Sequence, residues 1–440
     1  MKCLIIAAGK GSRLWRKGNT KPLIPLLGIP LIERVIRSAV IAGIDDLYVV
    51  SGYNGDQVRH FLDSLARRCK ITIIHVVNDD WEKDNGVSVL RAKEYLDEPF
   101  LLLMADHLFD PTILRDLIAQ PPGQGEITLA VDSNASNPLV DMDDVTRVKC
   151  ENGRLLEIGK ALPVFNGFDT GIFLCTPAVF GALERSAAEH GDTSLTGGVR
   201  CLATAGKVNV RDIGGRFWID VDDPRTLRQA ERALLSQLGC KPNDGPVSRY
   251  LNRPLSIRIS RYLTRLPLTP NHISLISFFG SLLAAVLFAA GGYPALAAGG
   301  VLAQFASIID GCDGEVARLK FQVSDYGGWF DAVLDRYADA FLLFGLTWHI
   351  FADGANMLAL FVGFLAIIGS FVLSYTADKY DGLMRARVTT GRSLRIGRDV
   401  RVFFIFLGAL LNQPLGTLLV IAALMNGETV RRLWVCRNRG

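Results

Sequence analysis

Residues 310–335 read DGCDGEVARLKFQVSDYGGWFDAVLD and contain two closely spaced pairs of acids. Asp310 and Asp313 are three residues apart and Asp331 and Asp335 are four apart, so each pair would lie on one face of a helix. Carboxylates near the ends of apolar helices are costly unless they have partners, and a cluster of hard oxygen ligands suits Mg²⁺, Mn²⁺ or Ca²⁺. We therefore predict a metal site formed by these four side chains. The alternative is that they are structural acids at a membrane boundary.

The two acidic pairs lie in a long apolar part of the chain. The sequence is 49% hydrophobic, and the excess is concentrated between residues 270 and 435. A helix needs about 20 mostly apolar residues to span a bilayer. The candidate spans are 273–291, 293–309, 330–351, 357–377, 402–412 and 415–430. This pattern predicts an all-α transmembrane domain of about six helices.

Positive charge is restricted to alternate connections between these spans. The basic residues are Arg318 and Lys320 in one loop, Lys379, Arg385, Arg387, Arg392, Arg395, Arg398 and Arg401 in another, and Arg431, Arg432, Arg437 and Arg439 in the tail. Loops 291–294, 352–356 and 412–414 contain no Lys or Arg. The positive-inside rule therefore predicts a multi-pass protein of the cell membrane, with the N-terminal domain and both termini in the cytoplasm.

Composition also suggests the domain boundaries. Residues 1–240 have the charge content of a globular domain, and 241–247 form a short polar linker. Residues 248–268 place five arginines between apolar residues, which is typical of an amphipathic helix on an anionic membrane surface; the alternative is an ordinary solvated basic helix. Residues 269–440 form the membrane domain.

Charge and cysteine usage exclude some classes of function. The net charge is only +4, which gives no support to binding of nucleic acid. The eight cysteines form no CxxC pair and no zinc-type spacing, so we interpret them as isolated reduced thiols.

The first part of the chain alternates short apolar runs with segments of helical periodicity. The predicted strands are 4–8, 47–51, 71–77, 100–105, 127–131, 147–150 and 171–175, and the predicted helices are 30–42, 55–65, 87–95 and 224–238. Alternation of this kind predicts an α/β fold with a mainly parallel sheet.

A glycine-rich turn follows the first of these strands. Residues 8–14 read AGKGSRL, and KPL follows at 21–23. The backbone at Ala8, Gly9 and Gly11 could approach a phosphate closely, and successive N–H groups can surround an anion. Arg13 and Lys21 could neutralise a triphosphate and the departing pyrophosphate. A tight turn without a ligand is the alternative for the glycines alone.

These motifs resemble the sugar-nucleotidyltransferase family over residues 1–235, and the family has a Rossmann-like catalytic domain. The resemblance implies metal ligands at Asp106, in the segment LMADH, and at Asp220, in FWIDVDDP. It also implies that Asn85 and Gly86 bind the nucleoside, that Asp169 contacts the activated alcohol, and that Lys160 holds the acceptor phosphate. The metal would be Mg²⁺.

The stretch at 310–335 resembles the CDP-alcohol phosphotransferase family, whose signature DxxDGxxARx8GxxxDxxxD is matched at every position. The resemblance covers residues 250–435. It implies that Asp310, Asp313 and Asp331 bind Mg²⁺, or Mn²⁺, at the CDP pyrophosphate. Asp335 would be a metal ligand or the base that deprotonates the acceptor hydroxyl. Membership also implies that Gly314, Ala317 and Arg318 line the cytidine diphosphate site.

The combination of both halves resembles the bifunctional inositol-1-phosphate cytidylyltransferases that also synthesise phosphorylated di-myo-inositol phosphate. It implies that CTP and inositol 1-phosphate give CDP-inositol, and that the membrane half transfers inositol phosphate to a second inositol 1-phosphate. The expected partners are CTP, inositol 1-phosphate, CDP-inositol and the lipid bilayer. A homodimer through the membrane domain is a further possible partner arrangement. Two alternatives are a phospholipid synthase with a fused head-group nucleotidyltransferase and a non-catalytic fusion.

Overall fold

The computed structural model describes residues 1–14, 20–239, 245–354, 357–377, 380 and 397–437. The chain separates into two compact units, Met1–Ala233 and Leu234–Gly440. The basic positions at 379, 385, 387, 392, 395 and 439, Cys240, and most of the predicted linker lie outside the described residues.

The first unit alternates strands and helices. Its strands are β1 (Lys2–Ala7), β2 (Pro25–Leu26), β3 (Ile29–Pro30), β4 (Asp46–Ser51), β5 (Thr72–Val77), β6 (Phe100–Met104), β7 (His107–Phe109), β8 (Ile127–Asp132), β9 (Arg147–Glu151), β10 (Arg154–Gly159), β11 (Gly167–Cys175), β12 (Val208–Asp212) and β13 (Trp218–Asp220). The helices up to residue 237 are α1 (Leu31–Ile41), α2 (Gly55–Cys69), α3 (Asn85–Leu90), α4 (Thr112–Ile118), α5 (Ala178–His190), α6 (Leu195–Thr204) and α7 (Pro224–Gln237).

Nine of these strands form one mixed sheet in the order β5-β4-β1-β6-β11-β8-β12-β10-β9. The half containing β5, β4, β1 and β6 is parallel, whereas β11 runs antiparallel to β6 and β8. Leu4 and Leu102 are fully buried in a core that covers this parallel half, as expected for strands covered on both faces. The α/β prediction is confirmed, and the carboxyl ends of β1 and β6 meet at one edge of the sheet.

Several local features of the first unit differ from the prediction. The helix expected over 87–95 begins at Asn85 and ends at Leu90, followed by a 3₁₀ turn at Lys93–Tyr95. Two β-branched residues and a serine within it lower helix propensity. Strand β11 begins at Gly167 and contains a bulge between Asp169 and Phe173, where Gly171 has a φ of +72°. The elements that were not predicted are helices α4, α5 and α6 and strands β2, β3, β7, β10, β12 and β13.

The second unit is helical throughout its described elements. After a π-helical turn at Ser248–Asn252 the helices are α8 (Arg253–Leu263), α9 (Pro270–Ala289), α10 (Tyr293–Leu319), α11 (Asp325–Ala352), α12 (Met357–Tyr375), α13 (Arg398–Leu410) and α14 (Pro414–Arg437). Among the described residues, α9, α10 and α12 are long and apolar enough to cross a membrane by length and composition. A helical membrane-associated unit agrees with the prediction, and the count of about six spans stays a prediction.

The two helices that carry the acids extend beyond the predicted spans. Ser324 accepts a hydrogen bond from the Gly327 backbone N–H, so α11 begins at Asp325, before the predicted span. Helix α10 continues through Asp310 and Asp313 to Leu319, ten residues beyond the predicted span 293–309. Both acidic pairs therefore lie inside helices.

Helix α8, predicted as part of an interfacial amphipathic segment, turns a polar stripe toward α10. Glu315 of α10 is fully buried and accepts hydrogen bonds from Ser256 at 2.6 Å and Ser260 at 2.7 Å. The Arg253 guanidinium lies 2.8 Å from the same carboxylate. Part of the polar face of α8 is thus a buried contact within the membrane unit, since a buried charge needs such partners.

Candidate active sites

The glycine-rich turn packs directly on Lys21. Gly11 has a φ of +62°, and a Cβ built on it would lie 2.3 Å from the Cβ of Lys21. Only glycine can occupy this position without moving the KPL turn. The turn after β1 therefore packs against the lysine that was predicted to neutralise phosphates.

Lys21 extends into a group of carboxylates. Its ammonium nitrogen lies 2.5 Å from Oδ2 of Asp106 and also pairs with Asp222. Burial lowers the pKa of Lys21, but the charges of the neighbouring aspartates outweigh it and hold the pKa well above its ordinary value. Lys21 is thus a permanent cation. Asp222 was not singled out from sequence, although it lies two residues after Asp220.

Asp106, His107 and Asp220 form a candidate metal site in the first unit. One ligand atom from each lies within 4.8 Å of the others. Asp106 follows β6, and the pairing of β7 with β13 sets His107 opposite Asp220. The Oδ1 atom of Asp220 is buried and has no hydrogen-bond partner among the described residues. A buried carboxylate oxygen that lacks a donor fits a bound cation.

The ionisation of this group is set by its members. Burial would lower the pKa of His107, but Asp220 and Asp106 raise it to about 10. Burial would raise the pKa of Asp220, but the charge of His107 and its hydrogen bond lower it to about 2. Without a metal, the cluster therefore contains a protonated His107 imidazole beside an ionised Asp220 carboxylate. His107 lies in the segment singled out from sequence but was not predicted as a site residue.

A second missed residue, Asp144, joins two predicted phosphate-binding side chains. Its carboxylate lies 2.5 Å from Nη1 of Arg13 and 2.5 Å from Nζ of Lys160. Hydrogen bonds from Lys160 and Arg13 hold the pKa of Asp144 well below its ordinary value. Both cations are thus paired with the same carboxylate, and their contact with a phosphate stays a prediction.

Six of the eleven site residues predicted in the first unit line one cavity of about 480 Å³, and Ala8, Gly11, Arg13, Lys21 and Gly86 are not in its lining. Its lining includes Gly9, Asn85, Asp106, Lys160, Asp169 and Asp220. Asp169 accepts a hydrogen bond from the Gly171 N–H at 2.8 Å, and burial raises its pKa to about 6. The side-chain oxygen of Asn85 accepts from the Leu195 N–H at 2.9 Å.

Two predicted ligand contacts also have packing roles. A Cβ on Gly86 would lie 2.4 Å from the carbonyl oxygen of Thr193, so this glycine is needed for close packing of α3. The carbonyl oxygen of Ala8 accepts from the Tyr53 N–H at 3.0 Å. Direct contact of either residue with a nucleotide stays a prediction.

In the second unit, the signature acids of α10 and α11 face one another. Asp310, Asp331 and Asp335 each place one oxygen within 4.8 Å of the others. The Oδ1 atom of Asp331 is buried without a hydrogen-bond partner among the described residues, which again fits a cation.

Serines of α9 orient the α10 acids. Ser274 donates to Asp313 at 2.6 Å and Ser277 donates to Asp310 at 3.1 Å. Asp313 is therefore fixed beside the cluster, although it is not among the three acids that meet most closely.

Arg398, the first residue of α13, is a cation that contacts this site. Its Nη1 lies 2.6 Å from Asp310 and 2.8 Å from Asp335, and its Nε lies 3.2 Å from Asp339. Arg401 holds Asp339 from the other side at 2.5 Å. The sequence placed both arginines in a basic loop without distinguishing them, because only the packing of α13 against α10 and α11 brings them to the acids.

Three further signature residues, Gly314, Ala317 and Arg318, lie on α10. Ala317 is buried, and a Cβ on Gly314 would lie 3.5 Å from Nη1 of Arg318, an ordinary contact. The role of these three residues in nucleotide binding stays a prediction.

Comparison with known proteins covers both units. The family model for the MobA-like NTP transferase domain matches residues 3–196, and that for CDP-alcohol phosphatidyltransferase matches residues 267–428. The bifunctional IPC transferase and DIPP synthase of Rubrobacter xylanophilus is 38% identical over 98% of this chain and 95% of its own length. The chain belongs to this family. The protein of the same description from Aquifex aeolicus is 30% identical over 98% of this chain and 97% of its own. The solved structure of the inositol-1-phosphate CTP transferase from T. maritima is 26% identical, with a TM-score of 0.47 over 52% of this chain and 93% of that one.

Membership in this family confirms several predictions from sequence. The chain is an enzyme with a nucleotidyltransferase domain followed by a helical CDP-alcohol phosphotransferase domain. Its apolar helices agree with association with a membrane, and each unit contains acidic groups that could bind a divalent metal.

Proposed function

We propose that the chain activates inositol 1-phosphate with CTP in its first unit and joins the activated group to a second inositol 1-phosphate in its second unit. The observation that carries this proposal is the pair of separate carboxylate clusters, each with its own fixed cation. Lys21 contacts Asp106 in one, and Arg398 contacts Asp310 and Asp335 in the other. Two phosphoryl-transfer centres on one chain fit a donor made at one and consumed at the other.

In the first reaction, a phosphate oxygen of inositol 1-phosphate forms a bond to the α-phosphorus of CTP while the bond to the β-phosphate breaks. CDP-inositol forms and pyrophosphate leaves. Lys160 holds the acceptor phosphate, and Arg13 and Lys21 neutralise the triphosphate and the leaving pyrophosphate. The backbone at Ala8, Gly9 and Gly11 surrounds the phosphates. Asn85 and Gly86 contact the nucleoside, and Asp169 contacts the inositol ring.

Asp106 and Asp220 would hold Mg²⁺ in this unit. A divalent ion there offsets the repulsion between the anionic reactants. The side chains set where it binds, because Lys21 already occupies one oxygen of Asp106.

In the second reaction, a hydroxyl of another inositol 1-phosphate forms a bond to the β-phosphorus of CDP-inositol, and the bond to CMP breaks. Asp335 accepts the hydroxyl proton or binds metal. Asp310, Asp313 and Asp331 would hold Mg²⁺ or Mn²⁺ at the diphosphate, where it stabilises the leaving CMP. Gly314, Ala317 and Arg318 contact the cytidine diphosphate. The product is phosphorylated di-myo-inositol phosphate.

The proposal includes a membrane topology. The cytosolic nucleotidyltransferase domain comprises residues 1–240, the linker 241–247 and the interfacial helix 248–268, followed by a membrane domain at 269–440 with about six spans. Both termini face the cytoplasm, where the charged substrates are soluble. A homodimer would form through the membrane domain.

The test is a coupled assay of the purified chain in detergent with Mg²⁺, CTP and labelled inositol 1-phosphate. Pyrophosphate, CDP-inositol and a water-soluble product with two inositol groups are expected. If a different alcohol phosphate is activated, the two-centre mechanism stands and inositol 1-phosphate is the wrong substrate. If the labelled product forms only when lipid is added and partitions into chloroform, the second reaction is phospholipid synthesis instead. No pyrophosphate release with any alcohol phosphate would overturn the first reaction.

A further inference from the structure

The imidazole of His107 is held in one orientation. Its Nδ1 lies 2.7 Å from the carbonyl oxygen of Thr170. A carbonyl oxygen can only accept, so Nδ1 carries a proton and donates it. The other nitrogen, Nε2, then faces Asp220 Oδ2 at 3.4 Å and Asp106 Oδ1 at 3.8 Å.

The fold makes room for this orientation. A Cβ on Gly171 would lie 2.4 Å from Nδ1 of His107, and Gly171 has a positive φ that other residues rarely adopt. The ring centroid of Trp218 lies 6.4 Å from that of His107. Since the histidine side chain is only 15% exposed, rotation of the ring would require its surroundings to move.

Two carboxylates lie beside Nε2 of His107. Asp106 and Asp220 supply carboxylate oxygens there, and Oδ1 of Asp220 is buried without a hydrogen-bond partner among the described residues. Metal-binding histidines commonly donate their other ring N–H to a backbone carbonyl, which fixes the tautomer. The Thr170 contact matches that arrangement.

We propose that His107 binds the divalent metal of the first unit through Nε2, as a third protein ligand beside Asp106 and Asp220. The inference rests on the proposed function, since it concerns the metal of the CTP-dependent reaction. An imidazole ligand favours Mn²⁺, Co²⁺ or Ni²⁺ over Mg²⁺ more than a carboxylate-only site does. The alternative is an imidazolium that pairs with both carboxylates and does not touch the metal.

Pulsed EPR of bound Mn²⁺ separates the two arrangements. The full chain is used with Asp331→Asn, which weakens the second, carboxylate-only site. A ligating imidazole gives a directly bonded ¹⁴N coupling, which should be present in this background and absent after His107→Gln. The matched control is His60→Gln, a histidine on the exposed face of α2, which should retain the coupling. Absence of ¹⁴N coupling with Mn²⁺ bound would overturn the proposal.

Metal affinity gives a second measurement. His107→Gln should raise the Kd for Co²⁺ by about tenfold or more, because even outer residues of metal sites contribute tenfold to a hundredfold. The Kd for Mg²⁺ should change less, because Mg²⁺ prefers oxygen ligands. Equal changes for both ions would contradict the proposal.

Failure of this inference differs from failure of the proposed function. If pyrophosphate release from CTP persists but no ¹⁴N coupling is found, His107 is not a ligand and the reaction stands. If the coupling is present and no alcohol phosphate is activated, the metal site stands and the reaction is wrong. Turnover of supplied CDP-inositol by the second unit, measured in His107→Gln alone, shows that the variant folds.

Discussion

The ammonium nitrogen of Lys21 lies 2.5 Å from Oδ2 of Asp106, although 85 residues separate them in sequence. Lys21 is nearly buried, whereas the side chain of Asp106 is 25% exposed and lines the cavity. The Lys21 ammonium offsets the negative charge of this candidate metal ligand before anionic substrates enter. This contact defines the first centre, as the contacts of Arg398 define the second.

Asp106→Asn should block the first reaction and spare the second. The amide keeps the shape but loses the charge that a divalent metal and Lys21 both use. Pyrophosphate release should fall about 100-fold or more, as expected for a direct metal ligand. CMP release from supplied CDP-inositol should stay at the level of the unchanged chain, and equal loss of both reactions would indicate misfolding instead.

Asp331→Asn should stop the sequence at CDP-inositol. Its buried Oδ1 is one of the oxygens predicted to hold metal, so CMP release should fall about 100-fold or more while pyrophosphate release continues. Chromatography of the labelled products checks this. The control is Asp325→Asn at the exposed beginning of the same helix. If CDP-inositol accumulates in that variant as well, Asp331 has no specific role in the second reaction.

Arg398→Lys should slow the second reaction although the charge is kept. The guanidinium contacts three carboxylates through two nitrogens, and a lysine has one nitrogen with which to do so. We expect CMP release to fall about tenfold, the effect of roughly one charge-assisted contact. Arg258→Lys on the exposed face of α8 is the control; a similar decrease there would show that the loss is not local.

Asp144→Asn should strengthen inhibition by pyrophosphate. The substitution frees Arg13 and Lys160 from the carboxylate that pairs with both. The pairs are partly exposed, so the expected gain is about 1 kcal/mol, or roughly fivefold in the inhibition constant. The neighbouring exposed Asp143→Asn should leave inhibition unchanged. Weaker inhibition in Asp144→Asn would show that Asp144 organises the phosphate site rather than competes for it.

Glu315→Gln should destabilise the second unit. The carboxylate is fully buried and contacts Arg253, Ser256 and Ser260. Removing one partner of a buried ion pair costs about 3–5 kcal/mol. The midpoint of thermal unfolding in detergent should fall clearly, whereas Asp353→Asn at the exposed end of α11 should leave it in place. An unchanged midpoint for Glu315→Gln would mean that the α8–α10 contact contributes little.

Sequence alone predicted the elements whose signal is local. The buried run of β1, the glycine turn and the four signature acids are recognisable because each depends on neighbouring residues. Strands β10 and β12 were missed because each is only partly buried and neither has a continuous apolar run, although β12 pairs parallel with β8. The bulge of β11 was missed because its glycine reads as the end of a strand until the register with β8 is known.

Several members of the candidate sites depended on contacts distant in sequence. Arg398 comes 63 residues after Asp335 and appeared from sequence to belong to a loop of interchangeable basic residues. Asp144 lies in a polar segment without a recognisable motif. Neither has a local pattern that distinguishes it, because what makes each distinctive is the charge placed opposite it by the fold.

The sequence by itself determined the order of the two domains, the chemistry of their acids and the family, because spacing and residue type carry that information along the chain. Only the tertiary structure decided which cation neutralises which acids, that α8 buries its polar stripe on Glu315, and that His107 turns one nitrogen toward Asp106 and Asp220. Coulomb and hydrogen-bond energies fall steeply with distance, so these roles exist only once strands and helices remote in sequence are packed within a few ångströms of each other.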